Sequence, residues 1–329
     1  MMEVIFFVTV AMPNNSASVL EALSANLQPF MKIAILGSGY VGLVTGVCFA
    51  DVGFEVTCVD ADAKKISKLN SFEAPFFEPG LGDLLLKNKS KMKFANSFAE
   101  HVNANDLIFI AVGTPEGKNG EAQIDAVYDT FRQICALAKK DLIVVVKSTV
   151  PVGTANALKA IAREQTTFQI DVLSNPEFLR QGSAIRDFQN PDRVVIGTDS
   201  IEAASILTKV YAPFVKDVDM QIIVIDNNSA ELAKYAANSF LALKISFINE
   251  LALLSSQVGA NIESVKRGFA SDHRINPEFF KPGIGYGGSC FSKDIKALQK
   301  LSNEKGLELL LLQACEAVNE RQKNYFVSK

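Results

Sequence analysis

Met31-Lys32-Ile33-Ala34-Ile35-Leu36 runs straight into Gly37-Ser38-Gly39-Tyr40-Val41-Gly42, and the reading of that stretch decides the fold. The first six residues are an apolar run of strand length that stops at a glycine. An apolar helical stretch then continues to Ala50, and a second strand-like run, Glu55-Val56-Thr57-Cys58-Val59-Asp60, ends in an acid. Strand, glycine turn, helix, strand and carboxylate form the setting in which G-x-G-x-x-G binds a dinucleotide. In that setting Gly37 makes the tight turn. Gly39 lets the backbone meet a pyrophosphate on the positive end of the helix, and Gly42 lets helix and strand approach closely. Tyr40 and Val41 sit between these glycines, on the cofactor side. Asp60 can accept hydrogen bonds from ribose hydroxyls, and its charge disfavours a 2′-phosphate. The expected cofactor is therefore NAD rather than NADP.

Further along, strands are expected at residues 106–112, 142–147, 170–174, 194–197 and 221–225, alternating with helical patterns. That alternation predicts an α/β fold of the Rossmann type, with a doubly wound, mostly parallel sheet. Polar residues gather just past the strand ends: Thr114 after the third strand, Ser148-Thr149 after the next, and Asn175-Pro176-Glu177 after the one following. Ligands in open α/β sheets bind at those ends. Beyond residue 226 the pattern becomes mainly helical. A long helix is expected to run to about residue 258, opened by a capping box of Asn228 and Glu231 and stopped at Gly259. The chain thus divides into residues 1–30, an extension outside the fold; residues 31–226, a nucleotide-binding domain; and residues 227–329, a helical domain.

The 329 residues suffice for two domains. A net charge of −3 gives no basic field for nucleic acid. No apolar run reads as long enough to cross a membrane. The five cysteines are odd in number and lack framework spacing, so all are expected to be reduced in a cytoplasmic setting. Two histidines and no Cys/His cluster leave no expected metal site.

Chemistry is concentrated in a few places. Cys290 lies in the glycine-rich run Gly285-Tyr286-Gly287-Gly288-Ser289-Cys290, just before a helical pattern that begins near Lys293. It is either a thiolate nucleophile near a helix N-terminus or a buried cysteine in a tight turn. Lys234 and Asn238 share one helix face at i, i+4. The lysine either snorkels outward or is held inward as a charge donor. Glu177 is a general base, a substrate ligand or a loop cap. Thr149 can hold a water or a nicotinamide amide.

Taken in order, these motifs resemble the UDP-sugar dehydrogenase family. They are Gly37–Gly42, Phe77-Glu78-Pro79-Gly80-Leu81, Val112-Gly113-Thr114-Pro115, the run from Lys147 to Thr154, Asn175-Pro176-Glu177-Phe178-Leu179-Arg180, Asn190-Pro191-Asp192-Arg193-Val194, Lys234 with Asn238, and Gly287-Gly288-Ser289-Cys290-Phe291. The resemblance implies a four-electron oxidation of UDP-glucose to UDP-glucuronate with two NAD, UDP-N-acetylmannosamine and GDP-mannose being the alternative substrates. It implies that Cys290 captures the aldehyde as a thiohemiacetal and later carries a thioester. It further implies Lys234 as stabiliser of oxyanions, Asn238 as orienting group, Asp294 in proton transfer, Glu177 in thioester hydrolysis, and Thr149 beside cofactor and water. Thr114, Lys65, Lys293 and Gln181 fall on the cofactor side. Phe178, Leu179, Arg274, Phe279, Lys281 and Gly287 fall on the substrate side, Arg274 reaching a neighbouring subunit. A homodimer built on the long helix is the implied assembly.

Three departures from the family pattern stand out. Gln181 replaces the usual glutamate and has no acid–base capacity. Ser292 replaces a common proline and is expected to cap the helix. The sequence stops at Lys329, near the entrance to a further nucleotide-gripping domain that family members carry. The expectation is weakened substrate grip, with a non-catalytic NAD-binding remnant as the other reading.

Overall fold

The computed structural model describes residues 31–117, 120–288 and 291–328. The expected extension at residues 1–30 and the candidate nucleophile Cys290 lie outside the described residues. The chain opens with β1 (Lys32–Leu36), α1 (Tyr40–Asp51), β2 (Glu55–Val59), α2 (Ala63–Asn70), α3 (Leu81–Lys87) and β3 (Met92–Ala95). There follow β4 (Leu107–Ile110), α4 (Asp125–Leu137), β5 (Leu142–Val146), α5 (Thr154–Gln165), β6 (Ile170–Ser174) and α6 (Ala184–Gln189). The sheet is completed by β7 (Val194–Gly197), α7 (Ile201–Tyr211), a short α8 (Val218–Gln221) and β8 (Ile222–Ile225). The rest is helical: α9 (Asn227–Gln257), α10 (Ile262–Ala270), α11 (Phe291–Glu304) and α12 (Leu310–Val327).

The eight strands lie in the order β3-β2-β1-β4-β5-β6-β7-β8. All neighbours are parallel except β6 and β7, which meet antiparallel at Ser174 and Gly197. The direction of winding switches between β1 and β4, where Ile35 pairs with Cys58 on one side and Phe109 on the other. A parallel sheet is covered on both faces, so its strands are apolar throughout and alternate residues serve different cores. Ile33, Ile35, Leu107, Phe109 and Val145 pack with α1, α3, α6 and α7. Ala34, Leu36, Ile108, Ile110, Val144 and Val146 pack with α4 and α5. α1 is apolar on every side because it is buried on nearly every side.

Three of the labelled elements go beyond the sequence expectation: β3, α6 and the four-residue α8, which precedes β8. β3 is four residues long and buries only Met92 fully, because it sits at the sheet edge. α6 spans six residues, too few to display a helical period.

α9, about 46 Å long at 1.5 Å per residue, joins the two halves. Its N-terminal part packs on β6, β7 and α5, and it packs also on α10, α11 and α12. The expected capping box is corrected here. The N-cap is Asp226, whose carboxylate accepts from the Ser229 amide at 2.9 Å and its hydroxyl at 2.6 Å. Glu231 is thereby free to point elsewhere. The expectation about apolar runs is corrected too: among the described residues α9 alone has the length and hydropathy of a membrane span. It is the core helix of the second half instead, since Glu231, Lys234, Asn238, Lys244 and Asn249 are all buried against its neighbours.

Candidate active site

At the dinucleotide turn, Gly37 has φ of 102° and an added Cβ would stand 2.5 Å from the Ala111 carbonyl oxygen. At Gly42 the added Cβ would meet the Gly37 carbonyl oxygen at 1.8 Å, so the helix can rise from the turn only with glycine there. Gly39 faces open space, with nothing within 4 Å. Behind it, α1 has no side-chain cap and no acid in its first turn. Its free amides and positive end suit a pyrophosphate. At the end of β2, Asp60 accepts from the Ser38 amide (2.8 Å), the Asp62 amide (3.0 Å) and the Lys65 ammonium (2.5 Å). Burial pulls the Asp60 carboxyl up, but Lys65 and the two amides outweigh it and hold the group below the usual carboxylate range. These residues fit a dinucleotide with free ribose hydroxyls.

Tyr40 turns away from that pocket. Its hydroxyl donates to Glu78 at 2.8 Å and lies 3.0 Å from the Arg180 carbonyl oxygen. Burial first, and the Glu78 carboxylate second, push the Tyr40 phenol well up. Glu78 itself is buried and also accepts from the amides of Gly182 (2.9 Å) and Ala184 (2.7 Å). One carboxylate thus ties the cofactor turn to the segment after β6. Glu78 falls within a sequence motif that by itself assigns it no role. The available signal was a lone acid between an aromatic and Pro79-Gly80.

Across the carboxyl ends of β5 and β6 lies a second group. Lys234 is 5% exposed and its ammonium stands 3.0 Å from Glu177. Of its two open readings, the inward one is realised. Glu177 is a loop cap as well as a partner of Lys234, its other oxygen accepting from the Leu179 amide at 2.5 Å. The Phe178 ring lies under both cations, 5.2 Å from the Lys234 ammonium and 3.7 Å from the Arg193 guanidinium. One turn on from Lys234, Asn238 donates to Asp294 at 2.6 Å. Asp294 is 1% exposed and also accepts from Lys293 at 2.5 Å. α9 supplies Lys234 and Asn238, and the first turn of α11 supplies Asp294, four residues past Cys290.

The freed Glu231 holds the loop that carries Thr149. It accepts from the amides of Gly153 (2.6 Å) and Ala155 (2.9 Å) and the Ser174 hydroxyl (3.2 Å), so a residue of α9 caps the start of α5. Burial nevertheless raises its carboxyl above the ordinary range. Ser148, Thr149, Pro176, Glu231 and Lys234 line one small crevice.

The remaining expected residues lie apart from this group. Gln181, Lys281 and Gly287 are exposed. Arg274 is exposed and paired with Asp272 at 2.5 Å. Phe279 adopts φ of 69°, costly for an aromatic residue, with its ring 6.3 Å from that of Phe291. Thr114 is half-buried in the loop beyond β4. Ser292 does not cap α11; the helix starts at Phe291, so the serine lies within its first turn.

Residues 31–215 match the NAD binding domain of the UDP-glucose/GDP-mannose dehydrogenase family, and residues 228–321 match its central domain. The chain belongs to that family. Among its members, the UDP-glucose 6-dehydrogenase of Pseudomonas aeruginosa is 44% identical over 300 residues, 89% of this chain and 66% of the relative. That of Rhizobium meliloti is 46% identical over 299 residues, 89% of this chain and 68% of the relative. The chain therefore spans about two thirds of the length of these curated relatives. Among solved structures, a UDP-glucose dehydrogenase from Pyrobaculum islandicum aligns with TM-score 0.84 at 40% identity, covering 88% of this chain and 68% of that one. A UDP-D-ManNAc dehydrogenase from Pyrococcus horikoshii aligns with TM-score 0.81 at 29% identity, covering 91% and 70%. Family membership explains the doubly wound sheet and identifies its cofactor as NAD.

Proposed function

We propose that the chain oxidises the C6 alcohol of UDP-glucose to the carboxylate, with NAD as oxidant and Cys290 as covalent carrier. The observation that carries this reading is the pairing of Lys234 with Glu177 and of Asn238 with Asp294 along one face of α9, beside the dinucleotide turn. Bound NAD supplies the hydride acceptor for each of the two oxidations. The Lys234 ammonium, held in a nearly water-free setting, stabilises the oxygen that becomes negative as the alcohol is oxidised. Asn238 orients the oxygen of the alcohol, and Asp294 takes up the proton that the alcohol loses. The Cys290 thiolate adds to the aldehyde carbon, and the loss of a second hydride turns the thiohemiacetal into a thioester. Glu177 takes a proton from the water that cleaves that thioester, with Thr149 holding the water. In sum, alcohol and one water become carboxylate, two hydrides leave with the cofactor, and three protons are released.

The same reading assigns Gly37, Gly39, Val41, Asp60 and Thr114 to the cofactor, and Phe178, Leu179 and Phe279 to the sugar. It takes residues 31–226 and 227–329 as the two working units, in a cytoplasmic homodimer. Exposed Leu232, Phe240, Phe247 and Leu254 recur at seven- or eight-residue intervals on α9 and support a dimer seam there.

The test is the yield of NADH per UDP-glucose consumed by the purified chain with excess NAD. Two NADH per sugar are expected, and Cys290→Ser should form no glucuronate while still binding NAD. No NADH from a chain that binds NAD, or glucuronate from the serine variant at the parent rate, would overturn the reading.

A further inference from the structure

Lys147 follows β5 directly and is buried, with its ammonium 3.0 Å from Asn175 Oδ1 and 3.0 Å from the Tyr211 hydroxyl. The faces of Phe188 and Tyr211 lie 5.7 and 5.5 Å away. Among the described residues no carboxylate comes within ion-pair distance of it. A buried ammonium without a carboxylate is costly, and such groups are kept where their charge is used. Asn175 is held on every side: its amide donates to the Val146 carbonyl at 2.9 Å, its Nδ2 donates to the Val195 carbonyl at 2.8 Å, and its Oδ1 also accepts from Tyr211 at 2.6 Å. Pro176 then fixes the next φ, and Glu177 follows, bonded to Lys234.

We propose that Lys147 is a positioning residue of the oxidation: its ammonium locks Asn175 and so sets the turn that presents Glu177 to Lys234, and its charge sets the potential at Glu177. This rests on the dehydrogenase reading above. Burial lowers the Lys147 pKa to about 8, the Glu177 carboxylate opposing that fall and Lys234 adding to it. The titratable and charged groups around Lys147 are Glu177 after β6, Lys234 on α9, Tyr211 at the end of α7 and Cys48 of α1, which faces Tyr211. The phenol and the thiol are both pushed far up by burial and stay neutral throughout. Lys147, whose pKa burial lowers to about 8, changes charge within the range in which the phenol and the thiol stay neutral. Losing its charge removes a positive charge from beside Glu177 and loosens the lock on Asn175.

The experiment is the pH profile of kcat and KM for UDP-glucose from pH 6 to 10, in the wild-type chain, Lys147→Met and Tyr211→Phe. The wild type should lose kcat with an inflection near pH 8. Lys147→Met should lower kcat at least tenfold on the order of one lost charge-assisted contact, with KM changed less than threefold and the inflection gone. Tyr211→Phe keeps the buried volume but removes a hydrogen-bond acceptor from the ammonium, so its inflection should move to lower pH. This variant carries the test if Lys147→Met does not fold. An active wild type with an unmoved inflection in Tyr211→Phe, or a folded Lys147→Met with kcat within twofold and the inflection retained, overturns the proposal for Lys147 alone. A wild-type chain that forms no NADH at any pH overturns the dehydrogenase reading and the proposal with it.

Discussion

Replacing Lys234 by Met and Glu177 by Gln, singly and together, tests whether the inward pair is as tight as its geometry. The two side chains are 6% and 12% exposed and 3.0 Å apart. At an effective dielectric constant of about 20, opposite charges at that distance attract by roughly 5 kcal/mol before the cost of removing them from water. That cost is several kcal/mol per ion and cancels much of the attraction. The pair as a whole therefore adds little to stability, while removing one member strands the other. Each single variant should lose about 3 kcal/mol, at the lower end of the range for a broken buried pair because the Leu179 amide still serves Glu177. The double variant strands no charge and should lose only about 1 kcal/mol rather than six, a coupling of roughly 5 kcal/mol. Urea unfolding at pH 7 followed by circular dichroism measures all four proteins, provided the slope m stays constant across the set. A coupling below about 0.5 kcal/mol would refute the reasoning. It would place the ammonium in water and restore the outward reading of Lys234.

The glycines of the dinucleotide turn separate packing from binding. Gly42→Ala should cost several kcal/mol and abolish NAD binding, because its Cβ cannot pass the Gly37 carbonyl 1.8 Å away. Gly39→Ala should leave the melting temperature within about 2 °C but weaken NAD at least tenfold on calorimetry, on the order of one lost close contact. Asp60 has its folded pKa below its unfolded value, so its stabilising contribution is present above the unfolded value near pH 3.9 and disappears as pH falls through the folded one. Asp60→Asn should accordingly show a shallower loss of stability on acidification, and weaker NAD binding; an unchanged NAD affinity would remove Asp60 from the ribose site. Phe49 of α1 is fully buried among the rings of Phe54, Phe109, Phe188, Tyr211 and Phe214, and Phe49→Ala should cost about 3–5 kcal/mol in denaturant unfolding.

The parts of this protein that could be read before any coordinates are those imposed locally along the chain. An all-apolar strand that stops at Gly37, a helix that tolerates no Cβ at Gly42 and a strand ending in Asp60 fix a mononucleotide unit within thirty residues. Each constraint acts between near neighbours, so residue order alone carries it. The i, i+4 spacing of Lys234 and Asn238 likewise puts them on one helix face. It does not say which way that face turns. The answer lies in Glu177 and Asp294, which are 57 and 56 residues from their partners. It is settled only when α9 lies across the carboxyl ends of the sheet.

The misreadings share that cause. Asn228 and Glu231 have the spacing of a capping box, yet Asp226 takes the cap and Glu231 reaches across to the first turn of α5. The composition of α9 is that of a membrane span, and only its buried Lys234, Asn238 and Lys244 show that the rest of the chain packs along one side of it. β3 is invisible in the pattern because an edge strand of four residues buries too little to leave one. Glu78 and Lys147 fall within motifs, and residue order assigns them no role. Their roles come from what lies around them: Tyr40, Gly182 and Ala184 for the one, and Asn175 and Tyr211 for the other. Sequence order dictates which backbone shapes are allowed and which residues share a face. Burial, and with it the charge and direction of the reacting side chains, depends on distant segments meeting, and so belongs to the tertiary structure.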